Sequence, residues 1–144
     1  MKLLKISAFL ILFLLLSCGD PEPEVVDENA PLPEQVDQLI KANEYESALS
    51  LLSEEDRGDP TVQQLLEKTH LNYGLHSMNT FDQTEMRTRM NRALSHFTEV
   101  LRINPENQVA RTNINQILSI YKTIPDRDPE PDVLEGLSEV GIEY

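Results

Sequence analysis

ALSHFTEVLRINPENQVARTNINQIL, residues 93–118, holds two apolar stripes on either side of a break. Ala93, Leu94, Phe97, Val100 and Leu101 recur at helical spacing, and Met86 and Met90 extend that stripe upstream. Asn104-Pro105-Glu106-Asn107 interrupts it, because proline removes a backbone N–H and crowds the preceding turn. Val109, Ala110, Ile114, Ile117, Leu118 and Tyr121 then resume the same period. So short a break makes the two helices antiparallel neighbours.

The pattern continues towards the N-terminus. PEQVDQLIKAN, from Pro33, places Val36, Leu39 and Ile40 on one face, and Pro33 suits a first helical turn. YESALSLL, from Tyr45, does the same with Ala48, Leu49, Leu51 and Leu52. Asp59-Pro60 marks the start of a third helix carrying Val62, Leu65, Leu66 and Tyr73, and Asp82-x-x-Glu85 is a capping signal ahead of the fourth. The strict alternation of a half-buried strand is found nowhere. An all-α domain of about five helices over residues 33–124 is expected.

Within it, Ala93, Phe97, Val100 and Pro105, followed by Ala110 and Asn113-Ile114, resemble the second half of a tetratricopeptide (TPR) repeat running into the next one. Tyr45, Ala48, Leu52 and Pro60 repeat the spacing upstream, with Glu55 where the family has a small residue, and Asn72-Tyr73-Gly74 is similar to the family's Asn-Leu-Gly step. Ala48 and Ala93 stand 45 positions apart, against a family period of about 34. The surplus is expected to lengthen the paired helices around Met78 to Met90. Each signature position has a packing reason: alanine permits close helix approach, the large residue four on fills the gap, and proline ends the hairpin. The resemblance implies that an extended peptide or a partner helix lies in a groove lined by the first helix of each hairpin. Here that groove includes Gln64, Lys68, Leu71, Leu75, Thr112, Asn113 and Gln116.

The N-terminus belongs to another environment. Lys2 and Lys5 precede Ile6 to Leu16, an apolar run interrupted only by Ser7. That is the layout of a secretory signal, and the run is shorter than the roughly 20 residues a bilayer span requires. It closes on Leu15-Leu16-Ser17-Cys18, and Cys18 is the chain's single cysteine, so no internal disulfide is possible. The segment resembles the lipobox of bacterial lipoproteins, with Leu16 where a smaller residue is usual. The resemblance implies that residues 1–17 are a signal peptide, that Cys18 takes the lipid, and that the protein is anchored in the cell envelope. Two or more acyl chains suffice for stable anchoring where one is marginal. Residues 18–32 are acidic and Pro-rich, and read as an extended tether.

Residues 125–144 begin Pro125-Asp-Arg-Asp-Pro-Glu-Pro-Asp132, which resists helix, and end in a short apolar face of Val133, Leu134, Leu137 and Val140. That face either caps the exposed side of the last long helix or is a flexible tail.

Chemistry is sparse. The chain has 12 basic and 25 acidic residues, a net charge of −13, which repels phosphate backbones and argues against nucleic acid. His70, His76 and His96 show no metal-ligand spacing and read as helix-surface residues. Asp126, Asp128, Glu130 and Asp132 imitate a calcium loop, but Pro131 and Leu137 occupy the positions of its required Gly and Glu. No phosphate-binding Gly loop and no nucleophile-base pair is legible, so neither an enzyme nor a cofactor is expected. Three readings follow. The first is a lipid-anchored interaction module for an unidentified envelope protein. The second is a helical carrier whose Met86/Met90 stripe lines a cavity for a small hydrophobic ligand. The third is a purely structural or oligomerising lipoprotein.

Overall fold

The computed structural model describes residues 27–80 and 86–144. The signal, Cys18, the tether as far as residue 26 and the Asp82-x-x-Glu85 signal lie outside the described residues. Among the described residues there are six helices and no strand: α1 (Leu32–Lys41), α2 (Tyr45–Ser53), α3 (Pro60–Asn79), α4 (Met86–Ile103), α5 (Gln108–Tyr121) and α6 (Pro131–Glu139).

Local chemistry accounts for the boundaries. Pro33 lies in the first turn of α1, where its missing N–H has no partner to lose. Gln35 donates its amide to the carbonyls of Glu28 and Ala30, at 3.2 and 2.6 Å, and the Asp27 amide donates to Gln38 Oε1 at 2.9 Å. Residues 27–30 are therefore tied to α1, ahead of the helix itself. At the far end of α1, Asn43 adopts φ 62, a left-handed conformation that asparagine tolerates. The amides of Glu44 and Asn43 return to the carbonyls of Leu39 and Ile40, the hydrogen-bond pair of a Schellman stop. Gly141, at φ 74, ends α6 the same way, with Ile142 N donating to Leu137 O. Asp59 caps α3 by accepting from Thr61 N at 2.6 Å, and Asn107 caps α5 by accepting from Ala110 N at 2.9 Å.

Two core clusters result. Val36 and Leu39 of α1, Ala48 and Leu52 of α2, and Val62, Leu65 and Leu66 of α3 form one. Phe97, Leu94, Leu101, Ile114, Ile117, Leu118 and Tyr121 of α4 and α5 form the centre of the other. The two are joined by α3, whose later residues Leu71, Leu75 and Met78 pack against the second. Contacts between α3 and α4 run in opposite order along the two helices, Glu67 to Asn104, His70 to His96 and Tyr73 to Arg92, so the pair is antiparallel.

The crossing of α3 and α4 is close because of Gly74. A Cβ built there would lie 2.6 Å from Phe97 Cε1, and Phe97 is fully buried. Ala93 and Ala110 are buried too, as their small size demands. Met86 and Val109, by contrast, stand at the edges of their stripes and remain 45% and 49% exposed.

The C-terminal segment acts as a cap, and it caps α4. Val133 and Leu137 of α6 are buried in the second cluster. Arg102 of α4 joins α6 by donating to Glu139 Oε2 at 2.6 Å, and it also pairs with Glu99. Buried Asn91 holds three elements together: its Oδ1 accepts from Tyr121 Oη at 3.3 Å and from Glu130 N at 3.2 Å.

Gly74→Ala should overpack the crossing and lower stability by about 1–3 kcal/mol, read as a shift in the urea midpoint. Phe97→Leu in the same chain should make the glycine substitution less costly than it is alone. Equal midpoints for wild type and Gly74→Ala would contradict the close approach.

Candidate functional site

The face expected to receive a partner is carried by α3 and α5, with α1 beside them. Lys68 Nζ stands 2.6 Å from Asp37 Oδ1, which sets α3 alongside α1. Gln64 is exposed one turn earlier on α3. Leu71 and Leu75, further along the same side, are half-buried against the second core cluster. Glu67 ties α3 to the start of α5, because its Oε1 accepts from both Asn104 Nδ2 and Asn107 Nδ2 at 2.8 Å. Thr112 and Gln116 are exposed on α5, whereas Asn113 turns its amide onto Val109 O of its own helix at 2.8 Å. Gln64, Lys68, Thr112 and Gln116 thus face solvent, and the Lys68 charge already has a partner.

A second feature escaped the sequence. His76, Tyr45, Tyr73, His96 and His70 form a ladder of rings across α2, α3 and α4. Tyr45 stacks on Tyr73 with centroids 4.9 Å apart, and Tyr73 stacks on His96 at 4.0 Å. His76 tilts against Tyr45, and His70 against His96, each at 5.3 Å. Arg92 lies 5.9 Å from the Tyr73 centroid, and Tyr73 Oη donates to Glu46 Oε1 at 2.9 Å. His70 and His96 are therefore not surface residues. They are half-buried, with their Nδ1 atoms 3.0 Å apart. One nitrogen must donate and the other accept, so the pair shares a single proton between those atoms. Burial pushes the His96 imidazole down to about 4, and the neighbouring His70 and Arg92 charges add to the effect. Burial also lowers His70, against the opposing pull of Glu99. At neutral pH both rings are uncharged. The spacing of His70, Tyr73 and His76 along one side of a helix was the available signal; their meeting with α2 and α4 was not.

The ladder has a cleft at each end. One of about 430 Å³ includes Tyr45, Glu46, Tyr73, His76 and Arg92. The other, about 670 Å³, includes Arg57, His70, His96, Glu99 and Arg102. Among the described residues no group of three or more His, Cys, Asp or Glu is placed to hold a metal ion.

A third cleft, about 350 Å³, lies between the beginning of α4 and the end of α5. Met86, Met90, Ile117, Ile120, Tyr121 and Ile124 give it an apolar lining, and Arg87 and Arg127 complete it. Both arginines are exposed. The Met86/Met90 stripe therefore does line a cavity, at the edge of the domain and not in its centre.

No described helix is long and apolar enough to cross a membrane. Neither a protein-family model, nor a curated protein, nor a solved structure matches the chain.

The histidine pair generates a pH dependence. A histidine with its folded value below the unfolded one, about 6.5, binds fewer protons when folded, so stability falls as pH drops below that value and continues to fall towards about 4. His96→Phe keeps a ring against Tyr73 and removes the proton site. The difference in unfolding free energy between variant and wild type should shift in the variant's favour from pH 7 to pH 5. A difference independent of pH would mean that His96 is not held neutral by burial.

Proposed function

We propose that this chain is a lipid-anchored, TPR-like interaction module of the bacterial cell envelope, serving as an adaptor or assembly accessory for another envelope protein. The observation that carries the reading is the arrangement of first helices. The Lys68–Asp37 pair holds α3 beside α1, and the Glu67 hydrogen bonds tie α3 to the cap of α5. Gln64 on α3 and Thr112 and Gln116 on α5 are exposed and offer a peptide or helix hydrogen-bond partners outside the two cores.

The anchoring half of the reading rests on the sequence. Cys18 ends the apolar run, and the acidic segment after it provides reach without fixing orientation. Confinement at a membrane raises the effective concentration around envelope partners, so a modest groove affinity suffices. The net charge of −13 favours a partner segment bearing Lys or Arg, with an encounter weakened by salt.

Two experiments test the halves separately. A clickable fatty-acid probe should label the wild-type protein in cells. Cys18→Ala should lose the label and accumulate at the precursor mass; labelling that survived would place the lipid elsewhere. Photo-crosslinkers at Gln64, Thr112 and Gln116 should trap one and the same protein in cells, with a yield that falls in washed membranes as salt rises. A crosslinker at Ser50, exposed on α2, should trap it poorly. Equal trapping from Ser50 would remove the α1–α3–α5 face as the binding surface.

A further inference from the structure

We propose that the cleft between the start of α4 and the end of α5 is a binding site for an anionic amphiphile, a single acyl chain ending in a carboxylate or phosphate. The inference depends neither on the lipid at Cys18 nor on the partner face.

The lining comes first. Met90, Ile117 and Tyr121 form the inner wall, continuous with the second core cluster. Met86 and Ile120 stand further out and stay 45% and 40% exposed, two of the four large hydrophobic residues that are exposed among the described residues. A small soluble domain seldom leaves such side chains together around a concavity without use for them. The volume, about 350 Å³, lies at the lower end of the range for small-molecule sites, enough for part of an acyl chain. Methionine adapts to a chain of variable length and bend better than branched residues do.

The charges then select the headgroup. In a chain with a net charge of −13, two arginines line this one apolar cleft. Neither forms an ion pair among the described residues. Arg87 donates through Nη2 to the backbone carbonyl of Asp128 at 3.3 Å, which holds the 126–128 turn beside the cleft by a bond to a neutral acceptor. The Asp128 carboxylate accepts from Tyr144 Oη at 3.0 Å and is thereby turned to the C-terminus. Guanidinium groups present planar, paired donors matched to carboxylate and phosphate oxygens. An acyl tail laid on Met90, Ile117 and Ile120 would bring its head between Arg87 and Arg127. A neutral lipid would fill the lining and leave both charges unmatched. A basic peptide, the partner favoured for the other face, would be repelled.

The test uses the full chain in isolated membranes washed free of ATP and coenzyme A, so that no probe is built into lipid or onto Cys18. A diazirine-bearing palmitate should, on illumination, label residues in 86–90 and 117–124, as located by mass spectrometry. Unlabelled palmitate should compete, and palmitate methyl ester should not. A diazirine lysophosphatidic acid in a parallel arm distinguishes the sources: labelling by palmitate alone assigns the carboxylate, and labelling by both assigns a general anion site. Arg127 makes no hydrogen bond with its side chain among the described residues, so Arg127→Gln removes the charge without breaking a tie in the fold. It should reduce labelling about tenfold, and Ile120→Asp should abolish it. Both substitutions are at exposed positions, and unchanged thermal midpoints would show the fold intact. Labelling of wild type elsewhere only, equal labelling by the methyl ester, or undiminished labelling of Arg127→Gln would each overturn the assignment.

Discussion

The domain depends on one helix serving two cores. α3 closes the first cluster with Val62, Leu65 and Leu66 and reaches the second with Leu71, Leu75 and Met78. It does so because α4 can lie directly against it at Gly74, where Phe97 occupies the space of the missing side chain. Without that approach the two clusters would be separate hairpins, each too small to exclude water from its apolar residues. The length of α3, 20 residues, and of α4, 18 residues, follows from the same need: each must span more than one layer of the stack.

Polar groups inside this arrangement act as ties at its corners. Glu67 gathers Asn104 and Asn107 at the turn between α4 and α5, so the residue that caps α5 is itself held by α3. Asn91 links α4 to the end of α5 and the start of α6. A buried amide oxygen paired in this way selects one register, because a slip would strand it without a donor. Arg102 does similar work at the surface, where its pairs with Glu99 and Glu139 are solvent-screened and contribute less.

These constraints leave chemically distinct surfaces. The α1–α3–α5 face exposes Gln64, Thr112 and Gln116, with Lys68 paired to Asp37. The ladder from His76 to His70 is aromatic, and burial keeps its His70 and His96 rings uncharged at neutral pH. The cleft at the far end of α4 and α5 is apolar and is lined by two arginines that form no ion pair among the described residues, in a chain whose overall charge is negative. Under the anchoring and the two binding sites proposed above, protein partners and amphiphiles would meet separate patches, each with its own dependence on salt and pH.

Helical periodicity, the helix start at Asp59-Pro60 and the break at Asn104-Pro105-Glu106-Asn107 were legible in the sequence, because each is set by residues within a turn or two of one another. So were the buried positions Ala93, Phe97 and Ile114, which follow from spacing alone. The capping role of the last segment was legible only as one of two options, since its short apolar face finds α4 through Val133 and Leu137 and nothing local names that target. The histidine pair lay beyond sequence reasoning for the same cause: His70 and His96 are 26 positions apart, and only the antiparallel crossing at Gly74 sets them nitrogen to nitrogen. The arginine-lined cleft likewise joins Arg87 to Arg127 through the turn after α5. Local patterns decide which elements form, because their physics is short-ranged; the meeting of distant side chains is decided by how closely two helices are allowed to cross.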